Sequence, residues 1–196
     1  MSELDINELI KNLDDGDMVG YTRKFIDDLE KSINIPIDID KDTDWSGVLC
    51  LGMGGSGAGG DFLVSLTNYA GGLPFVVWKD YGLPSWWGPD WLIIATSYSG
   101  NTEETLDGVS QALENGGTVL GITSGGKLEE ILSINDECVC LEVPGGQMPR
   151  SAFGHIFGTQ LAACWALGIL EKPDDTELEN MLERLRQSSI NADLVK

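Results

Sequence analysis

Two stretches of the chain carry residue types that bind phosphate without a positively charged side chain. The first is the glycine-rich run 52–60, which contains Gly54, Gly55 and Ser56 and follows the apolar run 47–51. A glycine-rich turn between a strand and a helix presents backbone N–H groups at the positive end of the helix dipole. Such a turn favours an anion, and we expect the phosphate of a small molecule to bind there.

The second stretch is 96–105, where a predicted strand runs into a predicted helix. It places three hydroxyl groups close together, on Ser97, Ser99 and Thr102, beside the N–H groups of the helix start. Hydroxyl and amide groups ligate phosphate without formal charge. Helix capping by Asn101 or Thr102 is the alternative explanation. Capping accounts for only one of the hydroxyls, so the stretch favours a second phosphate-binding loop.

A dinucleotide site is a competing interpretation of the first stretch. Gly52, Gly54 and Gly57 match the Gly-x-Gly-x-x-Gly fingerprint in its strand-to-helix context. Asp80 follows the second predicted strand, where a ribose-binding acid would lie. The fingerprint alone is weak evidence, and the hydroxyl-rich second stretch argues against a dinucleotide. A third interpretation is that the glycines serve only tight packing of the helix on the strand.

The overall charge limits the partners that this chain can have. Its 196 residues carry a net charge of −20, from 32 acidic and 12 basic residues. The length suits one α/β domain with a full core. The negative charge disfavours nucleic acid and anionic membrane surfaces as partners. A saline habitat and a need for solubility explain the acid excess equally well.

The cysteines and the termini indicate a cytoplasmic protein. Four cysteines, at 50, 138, 140 and 164, fall in apolar runs and lack the spacing of a zinc site. Buried thiols in a reducing compartment explain them. The N-terminus is polar and acidic, unlike a signal peptide, and no apolar run reaches the ~20 residues of a membrane span. We therefore expect a cytoplasmic protein with no membrane partner.

From residue 46 onward, short apolar runs alternate with helical segments. The runs predict five strands, at 47–51, 74–78, 91–96, 118–122 and 138–143. The segments predict helices between them, at 57–69, 102–115 and 126–134. Strands that are apolar nearly throughout are typical of a parallel sheet covered by helices on both faces. The pattern therefore predicts an α/β fold with a three-layer, doubly wound parallel sheet, whose ligand binds at the carboxyl ends of the strands.

Further helices flank this region. They are predicted at 3–13, 18–33, 151–170 and 175–192, with an acidic connector at 36–46. The helix at 151–170 is apolar nearly all round, so we expect it to be buried, at a domain or subunit interface. We divide the chain into N-terminal helices at 1–45, an α/β domain at 46–172 and a C-terminal helix at 173–196.

The two loops together resemble the SIS (sugar isomerase) domain. One strand ends in Gly-x-Gly-Gly-Ser-Gly, and a later strand ends in Ser-Tyr-Ser-Gly-Asn-Thr-Glu-Glu-Thr. Two further segments, Asp-Tyr-Gly-Leu-Pro at 80–84 and Pro-Arg-Ser-Ala-Phe-Gly at 149–154, resemble the N-terminal half of the bifunctional phosphoglucose/phosphomannose isomerases. The resemblance extends over about residues 47–170. It implies a flavodoxin-like SIS domain followed by a second SIS domain beyond this chain.

This resemblance implies a site for a hexose 6-phosphate and its isomerisation, between aldose and fructose 6-phosphate, through an enediol. The residues that match the family's phosphate site are Gly54, Gly55, Ser56, Ser97, Ser99 and Thr102. Arg150, one of four arginines, would have a supporting catalytic role near the reacting carbons. The resemblance also implies no metal, no cofactor, and either a homodimer or a second SIS domain as partner.

The proton-transferring groups of this family have no match in the chain. They are a glutamate and a histidine, with a lysine beside them, in a second SIS domain or at the dimer interface. His155 is the only histidine here and falls within the predicted buried helix, so we interpret it as a core or interface residue. Glu103 and Glu104 are interpreted as first-turn helix acids. We expect this chain to supply the phosphate site and to lack the base.

Two other functions stay open. A non-catalytic SIS module could bind a sugar phosphate and report it to a partner. An NAD(P)-dependent oxidoreductase rests on the glycine fingerprint alone.

Overall fold

The computed structural model describes residues 6–37, 39, 44–136 and 138–192, and its centre is a five-stranded parallel sheet. The strands are β1 (Gly47–Leu51), β2 (Phe75–Trp78), β3 (Trp91–Thr96), β4 (Val119–Thr123) and β5 (Val139–Glu142). They lie in the order β2-β1-β3-β4-β5, and each neighbouring pair is parallel. The order reverses between β1 and β3, which is where a doubly wound sheet binds its ligand.

Helices cover both faces of the sheet. They are α1 (Ile6–Leu13), α2 (Met18–Arg23), α3 (Phe25–Ile33), α4 (Gly54–Ala70), α5 (Glu103–Glu114), α6 (Gly126–Ser133), α7 (Phe153–Ala166) and α8 (Asp175–Ala192). Val48 and Ile94 belong to the core under α4 and α7, and Leu49 and Ile93 belong to the core under α5 and α6. Helices therefore pack on both faces of the sheet, and the predicted three-layer, doubly wound α/β fold is confirmed.

The region 18–33 forms two helices rather than the single predicted one. Lys24 separates α2 from α3, with φ −83° and ψ −2°. Its N–H is shared between Gly20 O at 3.3 Å and Tyr21 O at 3.1 Å, as is common at helix ends. The apolar periodicity continues across this break, so the sequence pattern does not reveal it. Residues 3–5 of the predicted first helix, and residues 38 and 40–43 of the acidic connector predicted at 36–46, lie outside the described residues.

The buried helix is α7, and elements of the same chain cover it. α3 places Ile26, Leu29 and Ile33 against α7 on one side and against α8 on the other. Ile156 and Cys164 of α7 face the sheet. The burial of α7 therefore does not require a partner subunit. None of the helices in the described part of the chain is long and apolar enough to cross a membrane.

α4 begins at Gly54, earlier than predicted, so most of the glycine run forms the first turns of a helix. Glycine is a poor helix former, which is why the run predicts a loop. Close packing explains Gly59, because a Cβ atom there would overlap Oε1 of Gln160 on α7. Gln160 is 1% exposed, and its Nε2 donates a hydrogen bond to Thr96 Oγ1 at 3.0 Å, so moving the amide aside would break this buried bond.

Gly59→Ala should therefore destabilise the fold by about 1–3 kcal/mol, the usual cost of overpacking. This cost exceeds the roughly 0.5–1 kcal/mol that alanine gains over glycine in a helix. Gln160→Ala removes the obstacle, so Gly59→Ala should cost nothing in that background. Urea unfolding of the wild type, both single variants and the double variant measures the coupling.

The matched control is Gly72→Ala, since a Cβ there would lie 3.7 Å from Ile169 O, an ordinary contact. It should leave the free energy of unfolding unchanged or slightly raised. Purely additive effects at positions 59 and 160 would contradict the proposed overlap.

Candidate functional site

A cavity of about 580 Å³ opens at the carboxyl ends of β1 and β3. Three segments form most of its wall: the start of α4, the loop between β3 and α5, and the turn before α7. Six residues singled out from the sequence meet there, namely Gly54, Gly55, Ser56, Ser99, Thr102 and Arg150. The fold therefore brings both predicted phosphate loops and the arginine together.

The start of α4 forms the first wall. Met53 has an extended backbone, with φ −109° and ψ 152°, and the helix begins at the next residue. No side chain caps this helix start, which leaves its first N–H groups to water or to a ligand. Ser56 lies in the first turn and is 6% exposed, and its Oγ accepts a hydrogen bond from Tyr98 N–H at 3.3 Å. The hydroxyl proton of Ser56 is thereby left for a further acceptor.

The loop between β3 and α5 forms the second wall. Thr102 occupies the N-cap position with an extended backbone, but its hydroxyl makes no capping bond. Instead, Thr102 Oγ1 lies 2.8 Å from Ser97 Oγ, which also accepts a hydrogen bond from Thr102 N–H at 3.4 Å. Helix capping therefore does not explain the hydroxyl of Thr102.

Ser97 and Ser99 have different surroundings although they belong to one motif. Ser97 is fully buried behind Thr102 and is not one of the residues that line the cavity. Ser99 is exposed at the cavity, and its Oγ accepts a hydrogen bond from Asn101 N–H at 3.3 Å. Ser97 can thus act on a ligand by orienting the Thr102 hydroxyl, whereas Ser99 can contact it directly.

The turn before α7 forms the third wall. A Cβ at Gly55 would lie 3.2 Å from Pro149 O and 3.6 Å from Arg150 Cα, so glycine at 55 lets this turn approach α4 closely. Arg150 is exposed, and none of the ion pairs found among the described residues includes it. Its guanidinium is the only cationic group among the described residues that line the cavity.

Tyr98 and three methionines also line the cavity, and the sequence analysis did not single them out. Tyr98 lies between Ser97 and Ser99, and this position was the sequence signal that could have pointed to it as a residue of the site. Met53 adjoins the glycine run, and Met148 precedes the Pro-Arg pair. Met18 reaches the cavity from the start of α2. The carboxylate of Asp14 accepts a hydrogen bond from the Met18 N–H at 2.8 Å and so holds the first turn of this helix. Nothing local in the sequence places α2 at this site.

The described residues that line the cavity include no carboxylate, imidazole or amine. Glu103 and Glu104 lie in the first turn of α5, as predicted. Tyr81 OH donates a hydrogen bond to Glu103 Oε2 at 3.2 Å, and this bond, with the charge of Glu104, raises the pKa of Tyr81. Asp80 accepts the Tyr81 N–H at 2.8 Å in the turn after β2. The cavity therefore offers donors and one cation, but no evident base.

His155 lies away from the cavity, buried between α3 and α7. Its Nδ1 is 2.9 Å from Ser32 Oγ, and its Nε2 is 3.4 Å from Asp28 Oδ1. Each of these three residues is at most 5% exposed. Burial lowers the pKa of His155, Asp28 raises it in part, and Lys31 lowers it further. His155 is a partnered core histidine.

Comparison with known proteins agrees with this geometry. The sequence model of the SIS domain matches residues 43–170, which is more than half of the chain. The chain belongs to the SIS domain family. The resemblance predicted from the two loops is confirmed.

Two curated relatives of this SIS domain are bifunctional phosphoglucose/phosphomannose isomerases. The one from Caldicellulosiruptor bescii is 38% identical over 159 residues, which cover 80% of this chain and 45% of the relative. The one from Aquifex aeolicus is 40% identical over 153 residues, which cover 77% of this chain and 45% of the relative. The chain thus spans about half the length of these relatives.

A solved structure supports the fold of the SIS domain. The tagatose-6-phosphate ketose/aldose isomerase from Escherichia coli superposes with a TM-score of 0.59 at 19% identity. The superposition covers 90% of this chain and 51% of that one. At this identity the likeness concerns the fold alone.

The buried histidine predicts how stability depends on pH. The unfolded chain takes up a proton on His155 at a higher pH than the folded chain does, because burial lowers the folded-state pKa. The free energy of unfolding should therefore fall as the pH falls through about 6.5, by up to about 1.4 kcal/mol per pH unit. His155→Gln should flatten this dependence.

Urea unfolding at pH 7.5 and pH 5.5 measures the effect. Since His155 is the only histidine, the slope that remains in the variant reports all the other groups. Equal slopes in the variant and the wild type would refute the lowered pKa.

Proposed function

We propose that this SIS domain binds the phosphate of a hexose 6-phosphate as part of a glucose-6-phosphate/mannose-6-phosphate isomerase. One observation carries the proposal: two helix starts without side-chain caps, those of α4 and α5, converge on a cavity that also contains Arg150. The similarity to bifunctional phosphoglucose/phosphomannose isomerases supports the same class of substrate.

The phosphate would lie between the starts of α4 and α5. Ser56, Ser99 and Thr102 would donate hydroxyl protons, and the first-turn N–H groups at Gly54 and Gly55 would complete the set. Hydrogen bonds to a charged group contribute about 1.5–3 kcal/mol each. Several such bonds at contact distance outweigh the repulsion from the distant acidic residues, which salt screens. An anion can therefore bind despite the net charge of −20.

Arg150 would face the reacting end of the sugar. In the aldose-to-ketose direction, a base removes the proton from C2 of the open-chain sugar, and an enediol forms. A proton is then returned to C1, and the O2 hydroxyl loses its proton as the C2 carbonyl forms, while O1 keeps the proton that it gained in the enediol. Negative charge grows on the carbonyl oxygen during this step, and a guanidinium nearby stabilises it. The guanidinium itself cannot act as the base, because it stays protonated in proteins.

The base would come from outside this chain, from a second SIS domain or from a second copy of the chain. The lack of a carboxylate, imidazole or amine among the described lining residues supports this division, and so does the greater length of the relatives. An apolar surface on α4 suits such a partner, since Phe62, Leu66 and Tyr69 are 54%, 40% and 95% exposed.

We place the protein in the cytoplasm, on the basis of its thiols. Cys50 and Cys164 are buried thiols in the core next to the sheet. Burial raises the pKa of Cys50 to about 12, which makes the thiol unreactive. Unoxidised cysteines of this kind are typical of a reducing compartment.

A non-catalytic module that senses a sugar phosphate is the second candidate. The cavity also supports this candidate, because its described lining residues provide hydrogen-bond donors for a phosphate and include no carboxylate, imidazole or amine that could act as a base. Both candidates share the binding site and differ in turnover.

Ser99→Ala should weaken the binding of glucose 6-phosphate about tenfold or more, because it removes a hydrogen bond to a charged group. Ser99 is exposed, so its truncation should leave the core intact. Isothermal titration calorimetry measures the affinity. The control is Ser110→Ala, an exposed serine on α5 whose hydroxyl donates to Leu106 O. Equal affinity in both variants would argue against the phosphate site.

The chain alone should bind glucose 6-phosphate but show no isomerase turnover, because the base is absent. A coupled assay of glucose 6-phosphate formation from fructose 6-phosphate measures this. Co-expression with the unmatched half of the Aquifex aeolicus relative should produce turnover, which Arg150→Ala should lower by about 100-fold or more.

Three outcomes separate the candidates. Turnover only in the combined preparation supports the isomerase. Binding without turnover in both preparations favours the sensor. Turnover by the chain alone, lost in Arg150→Ala, would show that the base lies in this chain.

A further inference from the structure

Tyr98 connects two walls of the cavity through its side chain. The Tyr98 OH donates a hydrogen bond to Pro144 O at 2.9 Å and accepts one from Gln147 N–H at 3.0 Å. Both partners belong to the connection between β5 and α7, which leads to Arg150. The ring is 6% exposed and belongs to the core under α4 and α7. One phenol therefore holds two points of that connection.

The backbone of Tyr98 is fixed to the phosphate side of the cavity. Its N–H donates to Ser56 Oγ at 3.3 Å. Its carbonyl oxygen accepts hydrogen bonds from Ser124 Oγ at 2.6 Å and from Ser124 N–H at 3.0 Å. Tyr98 thus has a rigid backbone among the predicted phosphate ligands and a hydroxyl group that holds the Arg150 segment.

The segment that Tyr98 holds is otherwise exposed. Among residues 144–150, only Gln147 is half-buried. The Gln147 side chain provides one further link, since its Nε2 donates to Asp28 Oδ2 at 3.3 Å. An exposed connection with few links to the core depends strongly on each of them. The phenol supplies two of these links.

We propose that Tyr98 is a positioning residue whose hydroxyl sets the distance between the phosphate-binding hydroxyls and Arg150. It thereby selects a phosphate ester that carries a sugar over inorganic phosphate, because in the proposed function the hydroxyls hold the phosphate and Arg150 faces the sugar. This inference rests on the proposed function. The ligand class is a sugar phosphate long enough to touch Arg150 while its phosphate lies at Ser56.

Tyr98→Phe isolates the hydroxyl group. The variant retains the ring that packs in the core and removes only the two hydrogen bonds of the phenol. The control is Tyr69→Phe, because Tyr69 is 95% exposed on α4 and does not line the cavity.

The first measurement is amide hydrogen exchange of the full chain without ligand. In Tyr98→Phe, exchange at Gln147 should accelerate about tenfold, the effect expected for one lost hydrogen bond, while Tyr69→Phe should match the wild type. Unchanged exchange at Gln147 in Tyr98→Phe would overturn the inference, whatever the ligand data show.

The second measurement compares two ligands by calorimetry. Tyr98→Phe should weaken glucose 6-phosphate binding about fivefold to tenfold and leave inorganic phosphate within about twofold. In an Arg150→Ala background, Tyr98→Phe should cause no further loss, because the hydroxyl acts through the arginine. The positioning role would be overturned if Tyr98→Phe weakened the binding of both ligands equally. It would also be overturned if the effects of Tyr98→Phe and Arg150→Ala on affinity were additive.

The two proposals fail in different ways. If the wild type bound neither ligand, the proposed function and the ligand selectivity would both fall. The exchange at Gln147 would then show whether Tyr98 still anchors the segment. Normal binding by the wild type with no selective loss in Tyr98→Phe would overturn the inference alone.

Discussion

The parallel pairing of β1 with β3 is the constraint on which the site depends. In this pairing Gly47 lies beside Trp91 and Leu51 lies beside Ala95, so both strands end at the same edge of the sheet. α4 then covers one face and α5 covers the other, which opens a gap between their starts. Two neighbouring helix starts create a positive local potential where the rest of the chain is strongly acidic. A site for an anion follows from the topology before any side chain is considered.

Neutral donors suit this acidic chain better than a cluster of lysines would. Lysine side chains are long and flexible, and in a protein with 32 acidic residues they would readily pair with surplus carboxylates. Lys79 does so on the surface, at 2.6 Å from Asp61. Hydroxyl and amide groups carry no charge to attract such partners, and the hydroxyl of Thr102 is held in place by Ser97. The cation at the cavity is Arg150 on the turn before α7, and none of the ion pairs found among the described residues includes it.

Sequence patterns predicted the sheet well because helices cover both of its faces, which makes its strands apolar runs. β1 and β4 are buried at every position, and the edge strands β2 and β5 are mostly half-buried. The strand predicted at 118–122 is observed at Val119–Thr123. The patterns failed where distant parts of the chain decide the structure. The glycine run forms the start of a helix, and glycine at 59 is explained by its contact with Gln160, which joins residues far apart in sequence. Likewise, residue types cannot show that the Ser97 hydroxyl points behind the cavity wall, since loop dihedral angles determine its direction.

The buried histidine gives the fold a property beyond stability. Ser32, His155 and Asp28 carry the functional groups of a serine hydrolase triad, but the ring faces the serine with Nδ1 and the carboxylate with Nε2, the reverse of the catalytic arrangement. At 5% exposure or less, no substrate reaches the hydroxyl. Polar groups that match in only one arrangement oppose the sliding of α3 along α7, which apolar contacts alone would tolerate. The trio thus fixes the register of α3 against α7, and α2, which places Met18 at the cavity, directly precedes α3.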